Sequence, residues 1–229
     1  GLVGSEMCIR GSATADLDEI EARTLELNSV AALAWEHLVL VLISALLVIA
    51  AAIPLGILLT RQSTQFLAPV VTGIANIGQA APVVGVIVLL AIWLGFGTPV
   101  AILGLWFYAF LPVLANVIAG LRGVDKQLIE AAHGLSMSPM QVLAKVELPL
   151  ALPVIMTGVR TSLVLLVGAG AFATFIDAGG LGGLITSGIN LYRTPILVSG
   201  AVLIAALALT VEWVGRLLEL AFTPKGMIK

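Results

Sequence analysis

Long apolar runs recur along the chain, separated by short polar segments. A helix needs about 20 residues to cross the roughly 30 Å hydrocarbon core of a bilayer. Five runs reach that length, and the second of them is interrupted by Asn76, Gly78, Gln79 and Pro82. The runs cover residues 35–59, 66–94, 98–121, 154–177 and 195–220. The pattern therefore predicts an all-α integral membrane protein built as a five-span helical bundle.

The basic residues indicate an orientation, because Lys and Arg favour cytoplasmic segments. With five spans, three segments share one side of the bundle, and the opposite side carries only Arg193 if the N-terminal tail and Arg160 are left aside. The shared side holds Arg61, Arg122, Lys126, Lys145, Arg216, Lys225 and Lys229. This bias predicts that the N-terminus lies outside and the C-terminus in the cytoplasm.

The longest polar interval among the apolar runs is EAAHGLSMSPMQVLAKVELPLALP at 130–153, on the predicted cytoplasmic side. Asp125 is suited to cap a short helix over 126–133, and Gly134 is suited to end it in a left-handed conformation. Ser138 is suited to cap a second helix, with Gln141 completing a capping box. The interval is thus predicted to be a helical, water-compatible loop.

The first helix of this loop is too short to be stable alone in water. Leu128, Ala131 and Ala132 give it a small apolar face on which the two alanines permit close approach. This face predicts docking into a cleft of a cytoplasmic partner. Packing against the chain's own bundle is the alternative.

Polar side chains inside apolar spans are costly and usually face the interior of a bundle. Asn76, Gln79 and Asn116 are such residues, and they either line the path of a zwitterion or cation or make interhelical hydrogen bonds. Glu212 and Arg216 are spaced for an ion pair within one helix. Arg160 and His37 are interpreted as residues of the membrane interface.

The composition agrees with a membrane protein, since 60% of the 229 residues are hydrophobic and 10% are charged, against about 25% charged in soluble domains. The single cysteine, Cys8, excludes a disulfide within the chain and a multi-cysteine metal site. His37 and His133 lie far apart, and neither an H-E-x-x-H nor a G-x-x-x-x-G-K-[ST] motif occurs. The sequence predicts no catalytic residue, no metal and no cofactor.

A set of ordered motifs carries a family resemblance. Glu130-Ala131-Ala132, then Gly134, then Leu148-Pro149 resembles the EAA loop of ABC-importer permeases. ANIGQAAPVVG at 75–85, LPVLANVIAGLRGVDKQLIEAAHGLSMS at 111–138, VELPLALPVIMTGVRTS at 146–162 and DAGGLGG at 177–183 resemble the osmoprotectant branch of that family. The departures from the branch are Asp177, His133 and the segment QAAPVVG, and the last of these bears on the solute.

The resemblance implies that the loop forms a coupling helix seated in a groove of an ATP-hydrolysing subunit. The coupling residues implied are Glu130, Ala131, Ala132, Gly134, Leu135 and Ser136. The implied partners are cytoplasmic ABC ATPase subunits, a second permease copy in a homo- or heterodimer, and an external substrate-binding protein, with no nucleic acid. The four Trp and two Tyr are scattered along the chain, whereas an aromatic cage for a quaternary ammonium would need such residues close together. Capture of the solute is therefore better assigned to the separate binding protein.

The implied function is import of glycine betaine, choline, carnitine or a related osmoprotectant across a bacterial or archaeal cell membrane. Two alternatives stay open: an ABC permease for another small solute such as an amino acid, and a channel or secondary transporter that needs no ATPase. Residues 35–224 are the expected permease domain, between a polar, acidic tail at 1–34 and a cytoplasmic tail at 225–229. Within the first tail, GSEMCIR resembles translated sequencing-adapter read-through, so residues 1–11 are interpreted as an artefact, with a genuine tail as the alternative.

Overall fold

The computed structural model describes residues 19–222, and every regular element in that range is helical. Two 3₁₀ turns, Gln65–Leu67 and Ala171–Ile176, and one π-helical turn, Leu143–Glu147, connect the α-helices. The α-helices are α1 (Glu19–Thr24), α2 (Leu27–Thr60), α3 (Ala68–Ala80), α4 (Val83–Leu94), α5 (Thr98–Arg122), α6 (Lys126–Gly134), α7 (Pro139–Val142), α8 (Leu148–Gly170), α9 (Gly182–Asn190) and α10 (Thr194–Phe222). Of the predicted N-terminal tail at 1–34, residues 1–18 lie outside the described residues, as does the predicted C-terminal tail at 225–229, whereas α1 and the first turns of α2 lie within 19–34.

Four helical stretches in the described part of the chain are long and apolar enough to cross a bilayer, namely Leu27–Thr60, Thr98–Arg122, Pro139–Ile176 and Thr194–Leu220. The remaining predicted span is instead a pair of helical segments, Gln65–Ala80 and Val83–Leu94, bent by 96°. The bundle therefore has four spans, or five if the bent pair crosses as one. The prediction of an all-α multi-span bundle is confirmed, and the second span differs from a simple crossing.

Pro82 accounts for the break between α3 and α4. A proline disfavours the α conformation in the residue before it and has no N–H to continue the helical ladder. Ala81 accordingly is extended, with φ −66° and ψ 142°, and Pro82 stands at the start of α4. The sequence predicted one interrupted span here, whereas the sharp angle between the two helices depends on what each of them packs against.

Helix α5 lies at the centre of the bundle, between α2 and α8. Its side chains Leu105, Val113 and Leu114 are completely buried. On the α8 side, the backbone at Gly158 approaches so closely that an added Cβ would lie 2.6 Å from the Cβ of Asn116. Nearby, the buried Ser162 hydroxyl donates to the Ala109 carbonyl at 3.0 Å. Small residues and interhelical hydrogen bonds are what hold helices together where lipid is as apolar as the core.

Helix α10 packs against α8 and α9 and exposes most of its surface. The prediction of a Glu212–Arg216 ion pair is wrong, because the described residues show no such pair and both side chains are exposed. The ion pair in this region instead joins Arg160 Nη1 to Glu219 Oε2 at 3.1 Å. Arg160 is thus held by a carboxylate of a neighbouring helix and does not simply extend toward water. The ion-pair partner of Arg160 is therefore determined by how the helices pack, not by spacing along one helix.

His37, which is expected at the membrane interface, has a side chain that is fully buried within the bundle. Its Nε2 lies 2.9 Å from the Val167 carbonyl oxygen, near the end of α8. The adjacent Glu36 carboxylate accepts a hydrogen bond from the Gly180 N–H at 3.2 Å. The beginning of α2 is therefore attached both to α8 and to the segment that follows it.

Candidate coupling loop and translocation path

The loop between α5 and α8 begins with a capped helix, as the sequence predicted. Asp125 is the N-cap of α6, and its Oδ1 accepts a hydrogen bond from the Gln127 N–H at 2.9 Å. Ser138 is the N-cap of α7, and its capping box with Gln141 is complete, with bonds of 2.9 and 3.4 Å. Both caps are confirmed because each depends only on residues within one helical turn.

The end of α6 differs from the prediction, since Gly134 belongs to the helix and its φ is not positive. The left-handed residue is Ser136, with φ 61°. The Met137 N–H bonds to the Ala132 carbonyl at 3.2 Å, and the Ser136 N–H bonds to the His133 carbonyl at 2.9 Å. This pair of bonds is a Schellman motif, which satisfies the last carbonyls of the helix and turns the chain toward α7.

The apolar face of α6 divides into an inner and an outer part. Ala132 is only 4% exposed, so its side chain packs within the chain. Ala131 is exposed, as is Glu130, and Leu128 and Leu135 are 48% and 75% exposed. The prediction that Ala132 enters a partner's groove therefore does not fit its burial, and the exposed apolar residues of α6 and its cap are Leu128, Ala131 and Leu135. We call these three residues the docking face.

Packing of α6 against the chain's own bundle is thus observed for part of its apolar face. Ala132 anchors α6 on the chain itself, and Leu128 borders a shallow cavity of about 260 Å³ that is also lined by Gly120 and Val154. The docking face nevertheless leaves the side chains of Leu128 and Leu135 exposed. Gly134 is also open, because a Cβ added there would meet nothing within 4 Å.

The three candidate path residues do not form one cluster. Asn76 and Gln79 lie on α3, where Asn76 is exposed and Gln79 half-buried. Helix α3 meets α5 near Phe107, whose carbonyl lies 3.5 Å from where a Cβ of Gly78 would be. At about 1.5 Å rise per residue, Asn116 lies roughly 13 Å further along α5. Any shared path would have to run along this length of α5.

The amide of Asn116 is already used inside the chain. Its Nδ2 donates to the Pro112 carbonyl at 2.7 Å, and its side chain packs against Gly158. These contacts favour helix packing for Asn116. Among the described residues, neither Asn76 nor Gln79 makes a side-chain hydrogen bond. Contacts with a solute are therefore a better hypothesis for α3 than for Asn116.

One polar contact of the loop was not predicted from the sequence. Arg61, just after α2, forms a two-bond ion pair with Glu147 in the π-helical turn before α8, with the shorter N–O distance 2.7 Å. Arg61 had been interpreted only as a marker of orientation. No local signal could have revealed the pair, because the two residues are 86 positions apart.

Comparison with known proteins identifies the family. A family model described as "Binding-protein-dependent transport system inner membrane component" matches residues 52–223. The choline transport system permease protein OpuBB of Bacillus subtilis is 42% identical over 193 residues, which cover 84% of this chain and 88% of that protein. The osmoprotectant import permease protein OsmY of Salmonella typhimurium is 37% identical over 207 residues, covering 89% and 86%.

Solved structures agree with the sequence comparison. An inward-facing structure of the MetNI methionine ABC transporter matches with a TM-score of 0.75 and 26% identity, covering 85% of this chain and 96% of that one. An amino acid ABC transporter crystallised with histidines matches in fold, with a TM-score of 0.68 and 16% identity, covering 82% and 92%. With its apolar spans, its capped loop and these relatives, the chain belongs to the family of binding-protein-dependent transport system inner membrane components, as a multi-pass permease subunit of the ABC importer type.

Proposed function

We propose that this permease subunit imports an osmoprotectant, a small quaternary-ammonium compound such as choline, carnitine or glycine betaine. The observation that carries the proposal is the 41–42% identity to permeases named for these three solutes, over 84% of the chain. The chain would work as one of two permease copies, with a pair of cytoplasmic ATPases and an external substrate-binding protein. It would hydrolyse no ATP itself.

The docking face supports the proposed ATPase contact. Leu128, Ala131 and Leu135 form an exposed apolar strip on a short capped helix, a shape suited to insertion into a groove. The Schellman turn and the capping box fix the direction in which α6 leaves toward α7. A closing pair of ATPases would therefore move a rigid loop connected directly to α8.

The orientation is part of the same proposal. The charge bias supports an orientation with the α6 loop and the end of α10 in the cytoplasm and the α4–α5 turn outside. A membrane-impermeant label applied to sealed cells should react at a cysteine replacing Thr98 and should not react at one replacing Lys126. Reaction at position 126 from outside would contradict both the orientation and the ATPase contact.

Transport is tested by reconstituting the permease with its ATPase and binding protein in proteoliposomes. We expect ATP-dependent uptake of labelled choline, carnitine or glycine betaine. The likeness to MetNI raises one specific rival, methionine or another amino acid, although the identity there is lower, at 26%. Uptake of methionine without uptake of any quaternary ammonium would favour that rival. Uptake that persists without the ATPase would reject the ABC mechanism.

A further inference from the structure

The ion pair between Arg61 and Glu147 is separate from the docking face, yet it ties α2 to the loop. Arg61 Nη2 donates to Glu147 Oε2 at 2.7 Å, and Nη1 donates to Oε1 at 3.3 Å. Two bonds between a planar guanidinium and a carboxylate fix the relative orientation of the groups as well as their distance. A contact of this kind transmits displacement better than a single flexible bond would.

Each partner is also held by its own element. Arg61 Nε donates to the Ile57 carbonyl at 3.3 Å, so the guanidinium is fastened to the end of α2, where a positive charge is favourable. Glu147 ends the π-helical turn and is only 7% exposed. A buried carboxylate that lost its partner would be costly, because no solvent would replace the lost charge interaction.

The position of Glu147 gives the pair its significance. Pro149 has no N–H to donate, and just before it the chain makes a π-helical turn, in which the Leu148 N–H bonds back to the Leu143 carbonyl. This turn joins α7 directly to α8, so a displacement of the loop acts on α8 through it as well as through side-chain packing. Single π turns occur frequently at functional sites.

The opposite end of α2 is attached as well. His37 Nε2 lies 2.9 Å from the Val167 carbonyl, and Glu36 accepts from the Gly180 N–H at 3.2 Å. Helix α2 thus contacts the turn before α8 at its C-terminal end, and it contacts the end of α8 and the following segment at Glu36 and His37, about three turns from its N-terminal end. A movement imposed at Glu147 would be carried along α2 to the far side of the bundle.

We propose that Arg61 and Glu147 are positioning residues for energy coupling: their ion pair makes the end of α2 follow the loop when the ATPases close. This inference rests on the proposed function, since it requires an ATPase that drives the loop. Neither residue belongs to the docking face. Breaking the pair should therefore leave ATPase binding intact. ATP should then be hydrolysed with less solute transported per ATP.

The test uses the reconstituted complex of permease, ATPase and binding protein, carrying Arg61→Gln, Arg61→Lys, Glu147→Gln or the charge exchange Arg61→Glu with Glu147→Arg. The readouts are the ATPase that co-purifies and the solute moved per ATP hydrolysed. We expect each single variant to keep ATPase association and to lower the transport ratio by about tenfold or more, because each loses the two-bond contact that orients the end of α2 on Glu147. The charge exchange should recover most of the ratio.

Arg122→Gln is the matched control, because Arg122 is an exposed arginine at the end of α5 with no ion pair among the described residues. It should keep the wild-type ratio. Single variants that keep that ratio, or a charge exchange that inserts but stays as uncoupled as the single variants, would overturn the inference. If Arg61→Gln fails to insert, Arg61→Lys tests the inference instead. Lysine keeps the positive charge but cannot form two parallel hydrogen bonds to the carboxylate. A wild-type complex that binds no ATPase would instead reject the proposed function.

Discussion

The division of α6 into a buried and an exposed side makes a sharp prediction about two adjacent alanines. Ala131 is exposed, whereas Ala132 is 4% exposed. We expect Ala131→Glu to leave the permease folded, because exchanging Ala for Glu on an exposed helix costs less than about 0.7 kcal/mol. We expect Ala132→Glu to disrupt the loop itself, because burying a carboxylate without a partner costs several kcal/mol.

The effect of Ala131→Glu should appear only in the assembled transporter. A charge placed in an apolar groove without a partner costs at least about 2 kcal/mol, and every 1.4 kcal/mol is a factor of ten in affinity, so ATPase binding should weaken by roughly 30-fold or more. The assay is titration of purified permease in nanodiscs with labelled ATPase, beside a thermal melt of the permease alone. Ala131→Glu should lower the affinity without lowering the melting temperature.

His133→Glu is the matched control for this pair of variants. His133 is exposed and lies on the opposite side of α6 from Ala131, so it brings the same side chain into the same helix away from the docking face. We expect ATPase affinity within a few-fold of wild type. The reasoning about the docking face is refuted if Ala131→Glu binds the ATPase as tightly as wild type, or if His133→Glu weakens binding as much as Ala131→Glu does.

Three further predictions concern other positions. Ser136→Gly should raise the melting temperature of the permease, because glycine relieves a left-handed conformation that costs other residues about 1 kcal/mol; an unchanged or lower melting temperature would contradict the Schellman turn. Gly158→Ala should lower the melting temperature, because the new Cβ would lie 2.7 Å from the Pro112 carbonyl oxygen, whereas Gly168→Ala, where nothing lies within 4 Å, should not; equal melting temperatures would refute the close approach of α5 and α8. Gln79→Leu should reduce solute uptake at an unchanged amount of assembled protein, and normal uptake would remove Gln79 from the proposed path.

Local chemistry determined much of this protein from its sequence. The lengths of the apolar runs predicted the four helical stretches that can cross a bilayer, though not the bend in the remaining run, since span length depends on hydrocarbon thickness and helical rise. Asp125 and Ser138 were recognised as caps because a cap bonds to backbone groups two or three residues away. Pro82 was one of the four residues seen to interrupt the second apolar run, and the missing N–H of a proline explains why the helix breaks there. The ordered motifs around Glu130 indicated the family.

Only the tertiary structure decided which side of each helix is covered. In a soluble helix an apolar stripe marks the buried face, but lipid is as apolar as a protein core, so the pattern of a spanning helix does not reveal its packing. For that reason the burial of His37 and the Arg160–Glu219 pair were not predicted. The inner position of Ala132 and the Arg61–Glu147 pair likewise depend on how α6, α2 and α8 meet. Contacts between residues 86 positions apart form only when the bundle assembles, and no local pattern records them.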